Sequence, residues 1–209
     1  MRGLYTKNIF PGLLDLSVGG KGFAQERIDT LKPVYGEVLE VGFGTGLNLP
    51  HYPAGVNRLV ALDPVEMLPA RVCRRIAAAR FPVEQVRQIG EQLPFADRQF
   101  DCVATTLTLC TIVDPVSALS EMRRVLRTGG SYVFLEHGRS TDPKVARLQD
   151  RLNPLWLTSG IGCGCNINRP IDLLLAKAGF RLEILDRYVR GWPRIMVEMY
   201  RGVATPDHR

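Results

Sequence analysis

A strand that runs straight into three alternating glycines is the feature that most restricts the fold of this chain. The apolar stretch 37–41 is followed at once by Gly42, Gly44 and Gly46. Glycine lacks a Cβ, so a turn with this spacing can bend sharply and bring its backbone close to a ligand. The dinucleotide pattern G-x-G-x-x-G needs its third glycine one position later, where Leu47 stands. The turn therefore predicts a nucleotide-like ligand that is not a dinucleotide.

An acidic residue follows the next apolar run. Residues 58–62 lead into Asp63, at the point where a second strand of the same sheet would end. A carboxylate at this strand tip can accept hydrogen bonds from both hydroxyls of a ribose. A surface carboxylate that caps the following helix is the alternative interpretation of Asp63.

Apolar runs alternate with stretches of helical period along the chain, which predicts an α/β fold with a mostly parallel sheet and helices on both faces. Strands are predicted near 37–41, 58–62, 83–88, 100–105, 131–136, 181–189 and 194–202. Gly179 is predicted to end a helix, and residues 191–193 to turn one of the last two strands back on the other. The sheet should therefore have seven strands, with an antiparallel pair at the end of the chain.

The order of several motifs resembles that of the class I S-adenosylmethionine-dependent methyltransferases, of the methyltransferase type 11 and ubiquinone/menaquinone C-methyltransferase kind. The pattern E-x-G-x-G-x-G at 40–46 and Asp63 are followed by E-Q-L-P-F-A-D at 91–97 and by a helix and glycine turn over 121–130. The likeness is good over roughly 34–137. It implies a Rossmann-like fold whose last strand is antiparallel, S-adenosylmethionine as cofactor, and S-adenosylhomocysteine as product.

This resemblance also implies which residues bind the cofactor. The three glycines are expected to approach its methionine part and Asp63 its ribose, while Met67 lies either against the adenine or in the core. Relatives place an aspartate that accepts from the adenine where Ile89 stands, so the Gly90 backbone and Glu91 are the remaining candidates. The complete predicted set is Glu40, Gly42, Gly44, Gly46, Asn48, Asp63, Pro64, Met67, Gly90, Glu91, Thr105 and Thr106. The two threonines could equally be ordinary strand formers.

A second, local resemblance concerns the methyl acceptor. The stretches T-L-T-L-C-T-I-V at 106–113, E-H at 136–137 and G-C-N-I-N-R at 164–169 resemble the alkyl thiol methyltransferases of animals. The implied substrate-binding residues are Cys110, Cys165, Asn166 and Arg169, and the implied catalytic residue is His137. The hydrophobic N-terminal anchor of those enzymes is not found, so their membrane residence does not carry over.

Each of these acceptor residues has a simpler interpretation as well. His137 could take a proton from a thiol or hydroxyl at its ordinary pKa of about 6.5, or it could be a structural histidine bonded to backbone. Arg169 is expected to pair with an acid such as Glu136. The pair Cys163 and Cys165 invites a metal or metalloid interpretation, but two thiolates one residue apart are poor chelators, and no metal is predicted.

The chain is expected to form one methyltransferase domain over 1–209. Within it we predict a lid or arm at 1–33, a cofactor-binding core at 34–137, an acceptor-pocket insertion at 138–170, and a helix with a β-hairpin at 171–209. A packed arm without function is the alternative to the lid.

Composition restricts the compartment and the partners. The five cysteines, at irregular spacing, fit a reducing compartment, and no run of about 18 apolar residues or signal peptide is found, so a cytoplasmic location is predicted. The formal charge of +6 comes with only 8% aromatic residues, which argues against nucleic-acid binding. Peripheral membrane association and the oligomeric state stay open.

These observations predict an enzyme that transfers methyl from S-adenosylmethionine to a small or lipophilic acceptor, with a thiol favoured. A quinone C-methyltransferase or a phospholipid N-methyltransferase is the alternative, because both share nearly all of the motifs. A cofactor-binding regulator without catalysis is a further alternative from another class.

Overall fold

The computed structural model describes Gly12, Asp15 and residues 18–159 and 164–207. The strands are β1 (Gly36–Val41), β2 (Val56–Leu62), β3 (Val83–Val86), β4 (Phe100–Thr106), β5 (Leu126–His137), β6 (Phe180–Val189) and β7 (Glu198–Pro206). The helices whose whole length is described are α1 (Lys21–Leu31), α2 (Pro69–Ala77), α3 (Pro115–Val125), α4 (Pro143–Thr158) and α5 (Ile171–Lys177). None of the helices in these ranges is both long and apolar enough to cross a membrane.

The seven strands form one sheet in the order β3-β2-β1-β4-β5-β7-β6. Neighbours from β3 to β5 pair in parallel, whereas β7 runs antiparallel to both β5 and β6. The predicted α/β fold, including its antiparallel last strand, is confirmed. The strand order reverses between β1 and β4, and ligands of open α/β sheets bind beyond the carboxyl ends of the strands at such a point.

The predicted first residues of β7 and β5 are wrong. The last strand was expected over 194–202 but starts at Glu198, because Arg194–Met196 forms a 3-10 turn after Pro193. The backbone N–H of Arg190 donates to the carbonyl of Val197 at 2.8 Å, so the connection spans the eight residues 190–197 instead of the four between the predicted strands. Strand β5 begins at 126, although its regular pairing with β4 starts only at residue 131.

Alternating side chains of the strands fill two separate cores, one on each face of the sheet. In β1, Val38 packs with the helices α1 and α2, whereas Leu39 and Val41 pack with α3 and α5. This alternation is the period of two that a strand imposes on its side chains. Each fully buried aliphatic side chain contributes about 1.5–3 kcal/mol to folding. The sheet is therefore held from both faces, and its carboxyl edge stays available for a site.

Local signals set the ends of three helices. Asp114 accepts from the backbone N–H of Val116 and Ser117 and so caps α3, which starts on a proline. Asp142 caps α4 in the same way through the N–H of Lys144. Gly179 has a φ of +77° directly after α5, which confirms the predicted helix-ending glycine. These stops fix where the loops at the site begin.

Candidate active site

The glycine turn after β1 has the backbone conformation that its sequence predicts. Gly42, Gly44 and Gly46 have φ angles of +80°, +57° and +78°. A Cβ at Gly42 would lie 2.2 Å from Oγ1 of Thr108, whereas a Cβ at Gly44 would meet nothing within 4 Å. The first glycine is therefore required by close packing against the loop after β4, and the second faces open space.

A cavity of about 370 Å³ lies between this turn and the ends of β2 and β3. Its lining consists of Phe43, Gly44, Ala61, Asp63, Val65, Glu66, Met67, Val72, Gln85, Val86 and Arg87. The predicted residues Gly44, Asp63 and Met67 are thus brought together. Asp63 accepts from the backbone N–H of Gly44 at 2.8 Å and of Val65 at 2.9 Å. Burial raises the pKa of Asp63, although these two hydrogen bonds act to lower it.

Glu40 and Asn48 lie in a buried polar network behind the glycine turn. The carboxylate of Glu40 accepts from Nδ2 of Asn48 at 2.8 Å and from the hydroxyl of Tyr52 at 2.9 Å. Nδ2 of Asn48 also donates to Oγ1 of Thr106 at 2.9 Å. Burial raises the pKa of Glu40 to about 7. Oδ1 of Asn48 is buried and has no partner among the described residues, so it is an open acceptor.

Arg27 of α1 is a buried cation that the sequence did not single out. Its side chain is 4% exposed, and its Nε and Nη1 have no hydrogen-bond partner within the described ranges. Burial lowers its pKa, and the charge of Glu40 opposes that shift. Arg27 is therefore close to the same network, with donors free for an anionic group. No sequence motif identifies Arg27, because the residues around it in α1 do not form a known ligand-binding pattern.

The N-terminal arm contacts the glycine turn through Asp15. The carboxylate of Asp15 accepts from Oγ1 of Thr45, from Arg71, and from Nη1 and Nη2 of Arg75 at 3.0 Å each. Arg75 also donates to the Thr45 carbonyl at 2.8 Å. These bonds tie the arm, the turn and α2 together. The rest of the predicted lid over 1–33 lies outside the described residues, except for Gly12 and residues from 18 onward.

Three predicted cofactor residues after β2 and β3 are not among those that line the cavity. Pro64 is exposed. Gly90 is buried, and a Cβ there would lie 3.2 Å from Val41. Oε1 of Glu91 accepts from the backbone N–H groups of residues 113 and 114 at 3.2 Å each. The side chain of Glu91 thus caps the start of the next helix, which leaves it poorly placed to receive the adenine.

The two threonines at the end of β4 differ in environment. Thr105 is fully buried, and its hydroxyl shares a hydrogen bond of 2.6 Å with that of Tyr132. Thr106 faces the network of Glu40 and Asn48 instead. Thr105 therefore joins two core strands, while Thr106 remains at the site.

Cys110, His137 and Cys165 meet at the carboxyl edge of the sheet. They come from the loop after β4, the end of β5 and the loop before α5, and their ligand atoms all lie within 4.8 Å of one another. Nε2 of His137 contacts Sγ of Cys165 at 3.2 Å. Cys110 and His137 are buried, and Cys165 is half-buried. Cys163, in contrast, lies outside the described residues.

Electrostatic shifts in this cluster follow from contact between its members. A hydrogen bond with Cys110 and the contact with His137 lower the pKa of Cys165, and the same hydrogen bond raises that of Cys110. Burial alone would lower the pKa of His137, but the hydrogen bond and charge of Cys165 together with the charge of Glu136 outweigh it, and the pKa is raised. Nδ1 of His137 is buried without a partner among the described residues.

Asn166 holds the loop with Cys165 against the loop with Cys110. Its backbone N–H and its Nδ2 donate to the Cys110 carbonyl at 2.8 and 3.0 Å. Its Oδ1 accepts from Nδ2 of Asn153 in α4 at 3.1 Å. Asn166 thus has one partner in the loop with Cys110 and another in α4.

The predicted ion pair between Arg169 and Glu136 is wrong. Arg169 donates from Nη2 to the carbonyl of Ile112 instead. The fully buried Glu136 accepts from the backbone N–H groups of Thr108 and Leu109 at 2.9 and 3.1 Å. Burial raises its pKa to about 7. Both side chains therefore shape the 107–113 loop by binding its backbone.

The residues present fit the cofactor that the sequence resemblance implies. The cavity begins at the glycine turn and carries Asp63, as the adenosine part requires. Behind the turn, Asn48 offers an unpartnered acceptor and Arg27 unpartnered donors, which match the ammonium and carboxylate of an amino acid group. Cys110 of the cluster belongs to the loop after β4, in which Thr108 packs on Gly42.

Comparison with known proteins matches the chain to methyltransferases both by family profile and by sequence relatives. A family profile described as a methyltransferase domain matches residues 39–134. A phosphatidylethanolamine N-methyltransferase of Cereibacter sphaeroides is 36% identical over 154 residues, which cover 73% of this chain and 72% of the relative. A demethylmenaquinone methyltransferase of Clavibacter sepedonicus is 36% identical over 182 residues, covering 85% and 69%.

Thiol methyltransferases match as well, over less of their length. The thiol S-methyltransferase TMT1B of Rattus norvegicus is 35% identical over 161 residues, which cover 74% of this chain and 64% of that protein. Among solved structures, the 1,6-didemethyltoxoflavin-N1-methyltransferase of Burkholderia thailandensis with bound S-adenosylhomocysteine aligns with a TM-score of 0.61 at 16% identity, covering 88% and 78%. At that identity the match supports the fold alone.

Proposed function

This chain belongs to the class I S-adenosylmethionine-dependent methyltransferases, and from that premise we propose that its methyl acceptor is a small or lipophilic thiol. The observation that carries the proposal is the convergence of Cys110, His137 and Cys165 at the carboxyl edge of the sheet. The thiol S-methyltransferase relative supports it, although the matched region spans only 64% of that protein.

S-adenosylmethionine, when bound, supplies an electrophilic methyl group on a sulfonium. The residues of the acceptor site would hold the thiol sulfur toward that methyl group, and the thiol proton would leave to water. A thiol with a pKa near 8.5 gives up its proton readily, so the protein chiefly has to align the sulfur and exclude water.

For the cofactor, we assign separate roles to the two sides of the glycine turn. Asp63 would bind the ribose and Met67 would lie against the adenine, since both line the 370 Å³ cavity. Arg27 and Asn48 would bind the amino acid group through their unpartnered atoms. Glu40 has both carboxylate oxygens occupied by Asn48 and Tyr52, so its role is to orient Asn48.

For the acceptor, the substrate-binding residues would be Cys110, Cys165, Asn166 and Arg169, with His137 as the catalytic residue. Cys110 lies two residues beyond Thr108, which packs against Gly42. The loop that carries Cys110 therefore links the methionine side of the cofactor site to the cluster. His137 ends β5 and touches Cys165, so it lies where an acceptor sulfur would enter.

The test is formation of S-adenosylhomocysteine by the purified protein with small thiols, alkyl thiols, hydroquinones and phosphatidylethanolamine vesicles. We expect turnover with thiols, and we expect Cys73→Ser, which alters an exposed cysteine away from the site, to match the wild type. Turnover with phosphatidylethanolamine alone or hydroquinones alone would contradict the proposal. Absence of turnover with every acceptor, together with tight binding of the cofactor, would favour a regulator.

A phospholipid amine is the second candidate acceptor. It is favoured by the Cereibacter sphaeroides relative, of whose length the match covers the larger share. An amine must be uncharged to attack the methyl group, and that attack requires no cysteine beside the amine. Cys110 and Cys165 would therefore have no role with an amine acceptor, so we favour the thiol.

A further inference from the structure

We propose that Cys110, His137 and Cys165 bind one thiophilic divalent ion of the zinc class, which holds the acceptor thiolate. This inference rests on the proposed thiol methylation and specifies how the acceptor site works. The three residues lie 27 and 28 positions apart in the chain, so no local sequence motif contains them. Unlike the pair Cys163 and Cys165, which stand one residue apart, these three residues come from separate segments of the chain.

The donor atoms are those that zinc prefers. Two thiolate sulfurs and one imidazole nitrogen form a recognised zinc ligand set, and soft sulfur ligands select against magnesium and calcium. Sulfur and nitrogen ligands around a tetrahedral zinc lie roughly 3.5–3.8 Å apart, from bond lengths of about 2.0–2.3 Å. The observed atoms lie within 4.8 Å of one another. Binding would lengthen the 3.2 Å contact between Nε2 of His137 and Sγ of Cys165 by about 0.3 Å and would shorten the widest pair by up to about 1.3 Å.

Hydrogen bonds around the cluster hold the loops that carry Cys110 and Cys165 together before any ion binds. Asn166 donates twice to the Cys110 carbonyl, and Asn153 of α4 fixes the side chain of Asn166. Asn153 also accepts from the N–H of Ile167 at 2.9 Å. The loop with Cys165 is thus attached to the loop with Cys110 and to a helix.

Three protein ligands are the number expected at a catalytic zinc. Structural zinc sites have four protein ligands, whereas catalytic sites keep one position open for water or substrate. Among the described residues only Cys110, His137 and Cys165 form this group. The open position would receive the acceptor thiol, whose proton leaves to water as the sulfur binds the ion.

Charge balance also calls for a cation here. An acceptor thiolate beside Cys110 and Cys165 would collect three sulfur atoms in a largely buried space. Arg169 is the neighbouring cation whose charge acts on both cysteines. One guanidinium balances one thiolate, and a divalent ion balances the other two.

The experiment is titration of the chelator-treated protein with Zn²⁺ alone and with Co²⁺ alone. We expect one ion per chain, and for Co²⁺ a thiolate-to-metal charge-transfer band with the visible absorption of a tetrahedral complex. Cys165→Ser, Cys110→Ser and His137→Gln should each weaken Zn²⁺ affinity by more than about a hundredfold, beyond the loss typical of an outer-shell change. Cys73→Ser should bind like the wild type. Circular dichroism identifies any variant that fails to fold, and half-buried Cys165 is the variant of choice.

Addition of an alkyl thiol to the cobalt form should shift the visible bands, because the thiol occupies the open position. The inference would be overturned if Cys165→Ser bound Zn²⁺ as tightly as the wild type does. It would also be overturned if Cys73→Ser lost Zn²⁺ binding to the same extent as Cys165→Ser. Full thiol turnover by metal-free protein would also overturn it while leaving the proposed function standing. Tight Zn²⁺ binding that requires all three residues, in a protein that methylates only a lipid or quinone, would support the ion site and refute the thiol acceptor.

Discussion

Replacement of Gly42 by alanine tests whether the glycine turn is required by packing or by the cofactor. Gly42 has a φ of +80°, and an added Cβ would lie 2.2, 2.3 and 2.7 Å from Oγ1, Cγ2 and Cβ of Thr108. Thr108 cannot move freely, because its backbone N–H donates to the buried Glu136 at 2.9 Å. The substitution should therefore disturb the loop after β4.

The expected cost is the sum of two effects. A residue with a Cβ in the left-handed region loses about 1–2 kcal/mol. Overpacking against an anchored neighbour costs about 1–3 kcal/mol more. Gly42→Ala should thus lower the free energy of unfolding by about 3 kcal/mol. Urea denaturation monitored by circular dichroism measures this change.

Gly44→Ala is the matched control, because Gly44 is also left-handed but its added Cβ would meet nothing within 4 Å. It should cost only about 1 kcal/mol of stability. Its methyl group would stand at the edge of the cavity, so we expect affinity for S-adenosylhomocysteine to fall about tenfold, which is roughly 1.4 kcal/mol. Isothermal titration calorimetry measures that loss.

A double-mutant cycle identifies the clash. Thr108→Ala would leave its own Cβ 2.7 Å from the new methyl group, so the second variant has to be Thr108→Gly. In that background Gly42→Ala should cost only about 1 kcal/mol. Equal costs of Gly42→Ala and Gly44→Ala, or no recovery with Thr108→Gly, would refute the packing argument.

Three further predictions concern the cofactor side. Arg27→Met should lower the affinity for S-adenosylhomocysteine at least about tenfold but leave the affinity for 5′-methylthioadenosine, which lacks the amino acid group, unchanged in calorimetry. Arg74→Met, at an exposed position, is the control. An equal loss of affinity for both ligands would contradict the proposed role of Arg27. The pKa of Glu40 is raised from 4.5 to about 7 in the fold, so native protein binds the extra proton and stability should fall as pH rises through that window, by at most about 3 kcal/mol. Glu40→Gln should flatten this part of the urea-measured profile, and a profile as steep as that of the wild type would show that Glu40 is not its source. Glu91→Ala should leave cofactor affinity unchanged but cost about 1 kcal/mol of stability, because its carboxylate binds backbone N–H groups; a loss of affinity would restore Glu91 as an adenine ligand.

The sequence by itself determined the fold class and the position of the cofactor turn. These depend on short-range patterns: alternating apolar runs predict parallel strands, and glycine adopts at the lowest cost the positive φ angles found at Gly42, Gly44 and Gly46. Asp63 belongs to the same group, since it directly follows a strand. The local rule failed at β7, because a 3-10 turn and a strand start look alike over three residues.

Tertiary structure alone decided which side chains share a site. Arg27, buried within reach of Glu40's charge, is remote in sequence from the glycine turn, and its unpartnered donors become visible only once the helix is packed. The hydrogen-bond partners of Glu91 and Thr105, which are backbone N–H groups and a core tyrosine, are likewise set by the packed structure. The meeting of Cys110, His137 and Cys165 follows from the strand order, since neighbouring parallel strands end at one edge and bring residues far apart in the chain to within 4.8 Å.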